Sequence, residues 1–346
     1  MRIHTSPLRT TILTILTSFL LSLGVQAQTP AIDAKKAELD KVVKEMGTAA
    51  NKDEYDKLLV RYNALNSEIR TLMANQGSAN DKDKACKVSI NSANESLRNK
   101  DYSAARTHAQ KAIELCPDNP KAFYALGLAE SRLGETGASI SAFRKTTELD
   151  PSYARAWFSL GQAYVDAGKR SEAVAAFTRA GTEDSSYAKA WYELGNLYYN
   201  TKELESALEN YRKATQADDT YYLAWEGLGR TYIDLHRCQE AIGALENGLR
   251  DKGNKEIAAA WFYLATAYNQ CEQFEQAISA SDQCLANIDR LGARKKFVRG
   301  GVHLEKGLAL EHKGDIAGAR SQLTLAAEER DWRDRANWEL DRIKNN

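Results

Sequence analysis

The sequence has few of the residues from which catalytic and metal sites are built. There are five histidines among 346 residues, namely His4, His108, His236, His303 and His312, and no two stand at ligand spacing. His303 and His312, nine residues apart, would face opposite ways on a helix. No glycine-rich phosphate loop, nucleophile elbow or HExxH pair is present. Acidic pairs are plentiful, but on amphipathic helices they read as solvated surface charge. The residues therefore give no support for an enzyme, a metal site or a cofactor. An excess of one charge is missing too, since 47 Lys and Arg balance 47 Asp and Glu. Nucleic-acid binding would ordinarily show a basic excess or stripe, and none is expected as a partner.

Long apolar runs are also missing. The longest, Thr11 to Gly24, falls short of the roughly 20 apolar residues needed to cross a bilayer. It follows Arg2 and Arg9 and precedes Val25-Gln26-Ala27, so residues 1–27 read as a secretory signal with a small-residue cleavage motif. No cysteine stands at or just after that motif, which excludes lipid attachment there. The expectation is a periplasmic or secreted protein with no membrane span after cleavage. Cleavage removes two of the 47 basic residues and none of the 47 acids, for a balance of −2.

One pattern is written four times between Asn119 and Leu249, each copy 34 residues after the last. Phe123, Trp157, Trp191 and Trp225 head the copies. Leu126-Gly127, Leu160-Gly161, Leu194-Gly195 and Leu228-Gly229 follow them, then Tyr164, Tyr198 and Tyr232 in the last three. A small residue comes next (Ser139, Ala173, Ala207, Ala241), then a large one (Phe143, Phe177, Tyr211, Leu245), then another small one (Thr146, Ala180, Ala214, Gly248). Intervals of 3, 4 and 7 are helical. The small residues let two helices approach closely while the large ones fill the space between them. Gly134 and Gly168 mark the end of a first helix, and Pro117 and Pro151 follow a second.

This pattern resembles the tetratricopeptide repeat, whose Trp-x-x-Leu-Gly-x-x-Tyr, Ala, Phe, Ala and Pro positions recur at period 34. Fainter copies extend it. Upstream stand Ala105, Ala109, Ala112 and Pro117, with Ser89 and Ser92 in the Trp and Leu places. Downstream, Trp261, Leu264, Ala265, Tyr268 and Ala277 follow an insertion at residues 250–255. A last copy has Gly307, Gly314, Ala319, Leu323 and Ala326, with His303 and Lys306 in the Trp and Leu places. Trp332, Trp338 and Leu340 mark a closing helix. The resemblance implies an all-α, right-handed superhelical solenoid of about seven helix pairs over residues 86–346, capped at its end, with the first helix of each pair lining a concave face.

Residues 28–77 form a different unit. Leu39, Val43 and Met46, then after Gly47 Leu58, Tyr62, Leu65, Ile69 and Leu72, recur at 3 and 4, and Asn51 with Glu54 makes a capping-box pattern. A helical hairpin closed on itself and a short coiled coil that joins copies through residues 32–76 both fit. Residues 78–85, polar and unpatterned, read as a linker. Signal, helical pair, linker and repeats in that order also resemble, in architecture alone, the periplasmic TolA-binding coordinator of envelope constriction, which has a longer coiled coil and fewer repeats.

The resemblance places the binding surface on the first helices. The stripe beside their packing face begins with Lys121, Arg155, Lys189, Leu223 and Ala259. It continues with Tyr124, Phe158, Tyr192, Glu226 and Phe262, then Leu128, Gln162, Asn196, Arg230 and Thr266, then Ser131, Val165, Tyr199, Ile233 and Asn269. Lys121, Tyr124, Arg155, Phe158, Gln162, Lys189, Tyr192, Asn196, Tyr199, Arg230 and Phe262 are the candidate binding residues. They suit a protein or peptide segment with apolar and acidic groups and aromatics as anchors, unless the aromatics pack between repeats instead. Family members that bind chaperone tails clamp the terminal carboxylate with Lys and Asn four residues apart. Tyr124 with Leu128, Phe158 with Gln162 and Tyr192 with Asn196 do not match that clamp.

The remaining features are a basic cluster and the cysteines. Arg290, Arg294, Lys295, Lys296 and Arg299 read as a basic helix end or as a docking patch for an acidic partner. All five cysteines follow the leader, and export makes disulfides the expectation. Cys86 and Cys116 fall at one end of an antiparallel pair, so a bridge between them would staple the repeat that lacks its Trp. A second bridge, Cys238 to Cys271, joins two turn-edge positions. Cys284, in the place of Ala180 and Ala214, is expected to stay a free thiol.

Overall fold

The computed structural model describes residues 30–250 and 257–345. The leader at 1–27 and nearly all of the insertion at 250–255 lie outside the described residues. Among the described residues there are sixteen α-helices and no strand, and no helix is long and apolar enough to cross a membrane. The chain divides into two compact units, Met1–Val88 and Ser89–Asn346.

In the first unit α1 (Pro30–Thr48) turns back on the first part of α2 (Lys52–Arg98). Leu39, Val42 and Met46 on α1 are buried against Tyr62, Leu65 and Ile69 on α2. The apolar stripe thus closes on itself as a hairpin. Asn51 Oδ1 accepts from the Glu54 amide at 2.9 Å and Glu54 Oε2 accepts from the amide of Ala50, one residue before the cap, at 2.9 Å, so the expected pair starts α2 as a capping box displaced by one residue. Lys35 pairs with Glu68 at 2.7 Å and Arg61 with Glu38 at 3.0 Å across the two helices.

The linker expected at 78–85 is helical throughout. Its residues are exposed and polar, so no hydrophobic period marks them. They include no proline, and alanine and lysine favour helix enough to carry α2 through.

In the second unit the helices pair in sequence. The end of α2 carries Ala93, which packs with Ala109 of α3 (Tyr102–Leu115) and Ala125 of α4 (Pro120–Leu133). Then come α4 with α5 (Thr136–Leu149), α6 (Ala154–Asp166) with α7 (Arg170–Glu183), α8 (Ala188–Asn200) with α9 (Leu204–Ala217), and α10 (Tyr222–Asp234) with α11 (Cys238–Gly248). The array ends with α12 (Ala258–Gln270) and α13 (Phe274–Ala286), a 3-10 stretch (Ile288–Arg294), α14 (Lys295–His312) with α15 (Ile316–Glu328), and α16 (Arg333–Asn345).

The leucine-glycine pairs set how closely the helices of a pair approach. A Cβ on Gly195 of α8 would lie 2.5 Å from the Tyr211 ring of α9, and one on Gly227 of α10 would lie 2.6 Å from the same ring. Tyr211 is only 1% exposed and fills the space that both glycines leave open. At the last pair, His303 replaces the expected Trp and instead bonds Gln322 of α15 through Nδ1 at 2.8 Å.

Two turns recur. Within each pair one residue adopts a left-handed conformation: Lys100, Gly134, Gly168, Lys202, His236, Glu272 and Gly314, with φ between 55° and 85°. Between pairs, Asp150, Asp184 and Asp218 each accept, through Oδ1, from the amide and hydroxyl of the residue two further on, Ser152, Ser186 and Thr220, at 2.6–3.1 Å. That clasp ends one helix and delivers Tyr153, Tyr187 and Tyr221 to the start of the next.

Candidate functional site

The first helices α4, α6 and α8 carry the aromatic part of the expected stripe. Tyr124 sits, with its ring tilted, between Phe143 of its own pair (5.7 Å between ring centroids) and Tyr153 of the next turn (5.0 Å). Phe158 repeats this with Phe177 (5.5 Å) and Tyr187 (5.1 Å), and Tyr192 with Tyr211 (5.9 Å) and Tyr221 (5.4 Å). The three are half-buried pins between repeats, with only part of each ring left for a partner. Burial pushes the Tyr192 phenol up, opposed by its hydrogen bond with Asn196. Burial also takes Tyr187 to about 12. Asn196 has an internal duty too, since its Oδ1 accepts from the Tyr211 hydroxyl at 2.8 Å.

The sequence reading missed Tyr153, Tyr187 and Tyr221, although an Asp-x-Ser/Thr-Tyr motif at period 34 carried the signal.

Lys121, Arg155 and Lys189 lie exposed in the first turn of three successive first helices and pair with no carboxylate of the described residues. A helix N-terminus adds its own partial positive charge there. Further along α4, α6 and α8 lies a cleft of about 350 Å³. Leu128, Ser131, Gln162 and Val165 line it, Phe143 and Phe177 form part of its wall, and Glu193 stands at one end. Burial raises the Glu193 carboxyl, with the Asn196 amide opposing.

Beyond α8 the surface changes. Arg230 of α10 lies over the Tyr199 ring at 4.8 Å and the Tyr263 ring at 5.2 Å, so both of these candidates are engaged with each other. Glu226, where the earlier repeats have an aromatic, is buried, accepts from the Tyr222 hydroxyl and faces Arg294 at 3.7 Å.

Two expectations are corrected here. Phe262 is 4% exposed, packed against Phe297 (6.4 Å) and Trp332 (6.1 Å), and is a core residue rather than a groove residue. The basic segment is not a helix C-terminus, because Arg290 and Arg294 lie in the 3-10 stretch while Lys295, Lys296 and Arg299 open α14. Three of its charges are met by carboxylates: Arg294 by Glu226 at 3.7 Å, Lys295 by Asp289 at 2.5 Å and Arg299 by Glu329.

Cys238 at the start of α11 and Cys271 at the end of α12 form a disulfide with Cα atoms 5.6 Å apart. Cys86 and Cys116 are each disulfide-bonded. Cys284 is a buried free thiol that burial pushes up to about 12. Among the described residues no group of three or more His, Cys, Asp or Glu could hold a metal ion.

Comparison with known proteins agrees with this architecture. A tetratricopeptide repeat model matches residues 124–180, 158–222 and 227–285, and a second model, described as TPR repeat, matches 93–134. Together they span more than half of the chain. No curated protein matches the sequence. Among solved structures, the C-terminal part of a TPR repeat-containing protein from Cytophaga hutchinsonii is 14% identical with a TM-score of 0.57, covering 71% of this chain and 97% of that one. YrrB, described as a TPR protein with an unusual peptide-binding site, is 20% identical with a TM-score of 0.46, covering 60% and 97%. MamA is 23% identical with a TM-score of 0.45, covering 50% and 94%. A helix pair repeated at period 34, glycines beneath the large second-helix residues and matches over half of the sequence lead to one conclusion: the chain belongs to the tetratricopeptide repeat family.

Proposed function

We propose that this protein is a non-enzymatic scaffold that holds an extended peptide or protein segment, rich in acidic and apolar residues, along its first helices. The observation that carries the reading is the row of Lys121, Arg155 and Lys189, exposed and without carboxylate partners among the described residues, in the first turns of the helices α4, α6 and α8 that line the cleft further along. Several other cations on the array are answered internally, as Arg170 is by Glu203 at 2.7 Å and Lys306 by Asp282 at 2.5 Å. A repeated row of unanswered cations is complementary to acids spaced along a partner. The half-exposed aromatic pins and Leu128 offer apolar contact next to it. The site of action is an oxidising compartment outside the cytoplasm, a reading supported by the leader and by the disulfide-bonded cysteines.

The test is selection of peptides from a random displayed library on the full chain and on a Lys121→Glu, Arg155→Glu, Lys189→Glu variant with unchanged circular dichroism. The wild type should enrich acidic-apolar peptides and the variant should lose them. The same enrichment on both proteins refutes the assignment.

A further inference from the structure

At the C-terminal end of the array the first helices α12 and α14, the start of α13 and the closing helix α16 line an open pocket of about 470 Å³. At its base Glu305, 9% exposed, accepts through Oε2 from Asn269 Nδ2 at 2.7 Å. The same nitrogen donates to the Glu305 backbone carbonyl at 2.9 Å. These two contacts fix the orientation of the amide, because the reversed amide would set its oxygen against two others. Asn269 Oδ1 is then left buried, accepting no hydrogen bond from the protein.

Glu305 also lacks a countercharge. Arg335 is bound to Glu339 at 2.9 Å, and Arg342 is shared by Glu339 at 2.9 Å and Glu311 at 2.5 Å. Burial raises the Glu305 carboxyl above the usual carboxylate range, against hydrogen bonds from the Asn269 amide and the Thr266 hydroxyl and the more distant pull of Arg335. The walls are flat and aromatic. Phe274 and His312 stack at 4.5 Å with planes 3° apart, and Trp338, 59% exposed at the rim, lies under Arg335 at 5.7 Å and Arg342 at 5.8 Å, cations already held by Glu339. The pocket therefore offers a carboxylate with no ion-pair partner, an unsatisfied amide oxygen buried beside it and the stacked Phe274–His312 pair, a setting suited to a planar or compact cation.

We infer that this pocket receives a guanidinium or ammonium group, supplied by an arginine or lysine side chain of the bound segment. The guest donates to Glu305, gives that carboxylate its missing partner, and lies against the aromatic walls. The inference rests on the proposed groove only for the source of the cation. It makes the recognised segment bipolar: acidic along α4 to α8 and basic at the far end.

Isothermal titration of the full chain with N-acetyl-arginine methylamide tests the pocket, with the neutral citrulline analogue as control. The arginine probe should bind, the citrulline probe about tenfold or more weakly, and Glu305→Gln should cost the arginine probe a similar factor with circular dichroism unchanged. No binding of the arginine probe, equal affinity for citrulline, or an unaffected Glu305→Gln variant overturns the inference. If that variant does not fold, Trp338→Ala at the exposed rim is read instead, with an expected loss of about threefold and no loss counting against the site. An acidic-apolar peptide ending in arginine should bind tighter than the single residue. If the single residue binds and the peptide gains nothing, the cation pocket stands and the groove proposal fails.

Discussion

Gly195→Ala is a small change with a large predicted effect. A Cβ at this position would lie 2.5 Å from both Cδ1 and Cε1 of Tyr211 and 2.9 Å from Cζ, so the ring would have to retreat by most of an ångström. The retreat is blocked. The ring is 1% exposed, lies equally close to the Gly227 position of α10, and its hydroxyl is tied to Asn196 at 2.8 Å. Helix propensity alone favours alanine over glycine by about 1 kcal/mol, whereas overpacking a tight core typically costs about 1–3 kcal/mol. Because the ring cannot retreat, overpacking should win, for a net loss of up to about 2 kcal/mol. Gly243→Ala is the matched control, since it is exposed within α11 with nothing inside 4 Å of its Cβ position. It should gain about 0.5–1 kcal/mol. Urea unfolding of the full chain, followed by circular dichroism, reads both signs. Amide exchange on α8 to α10 localises the effect, because a repeat array need not unfold in one step. If Gly195→Ala unfolds at the wild-type urea concentration or above while Gly243→Ala is stabilised, the ring has room and close approach is not the reason for glycine.

Three further outcomes follow from the turns, the cysteines and the buried acid. His236 is exposed with φ 55°, so His236→Gly should stabilise by about 1 kcal/mol and Gly134→Ala destabilise by a similar amount; denaturant midpoints check both. Cys238 and Cys271 close a separation of 33 residues, so replacing both with serine should cost about 3.5–4 kcal/mol in the chain-entropy account. Alkylation of the unreduced, unfolded chain should modify one cysteine, Cys284, and modification of three or five would contradict the bonded set. The folded pKa of Glu305 lies above its ordinary 4.5. Its contribution to stability is therefore full below that pH and is lost as pH rises through the folded value. Glu305→Gln should melt above the wild type at pH 7, with the gap closing near pH 4, and a gap that persists in acid refutes the assignment.

Much of the fold is legible in the sequence because its small residues have a geometric cause. Gly127, Gly161, Gly195 and Gly229 each lie beneath a large second-helix side chain, and Cβ atoms there would fall 2.4–2.6 Å from it. The turns are less legible. Gly134 and Gly168 announce a left-handed residue, but Lys100, Lys202, His236 and Glu272 adopt the same conformation without announcing it. The helix pairs on either side impose it, and packing outweighs the local preference. Residues 78–85 are illegible for the opposite reason. An exposed polar helix and a polar linker share one composition, and only backbone geometry separates them.

The candidate site shows where periodic reading stops. Period 34 gives the angle of a side chain around its helix but not what the neighbouring elements lay over it. Tyr124, Phe158, Tyr192, Glu226 and Phe262 share one register position. Three of them are half-covered because the Asp-x-Ser/Thr-Tyr turn brings a tyrosine onto each ring. Phe262 is fully covered because Phe297 and Trp332, from the irregular stretch and the end cap, close over it. Glu226 is buried beside Tyr222 and Arg294, the latter again from the irregular stretch. The same holds for the pocket at Glu305. Asn269 lies on the periodic stripe, but its partner and most of the pocket walls come from α14 and α16, where the 34-residue period has lapsed. Repetition builds the frame and a uniform cationic row, which cannot by itself fix a partner's direction or register. The breaks in repetition supply the one-off chemistry that can, so the irregular C-terminal end is where the specificity of this array should be sought.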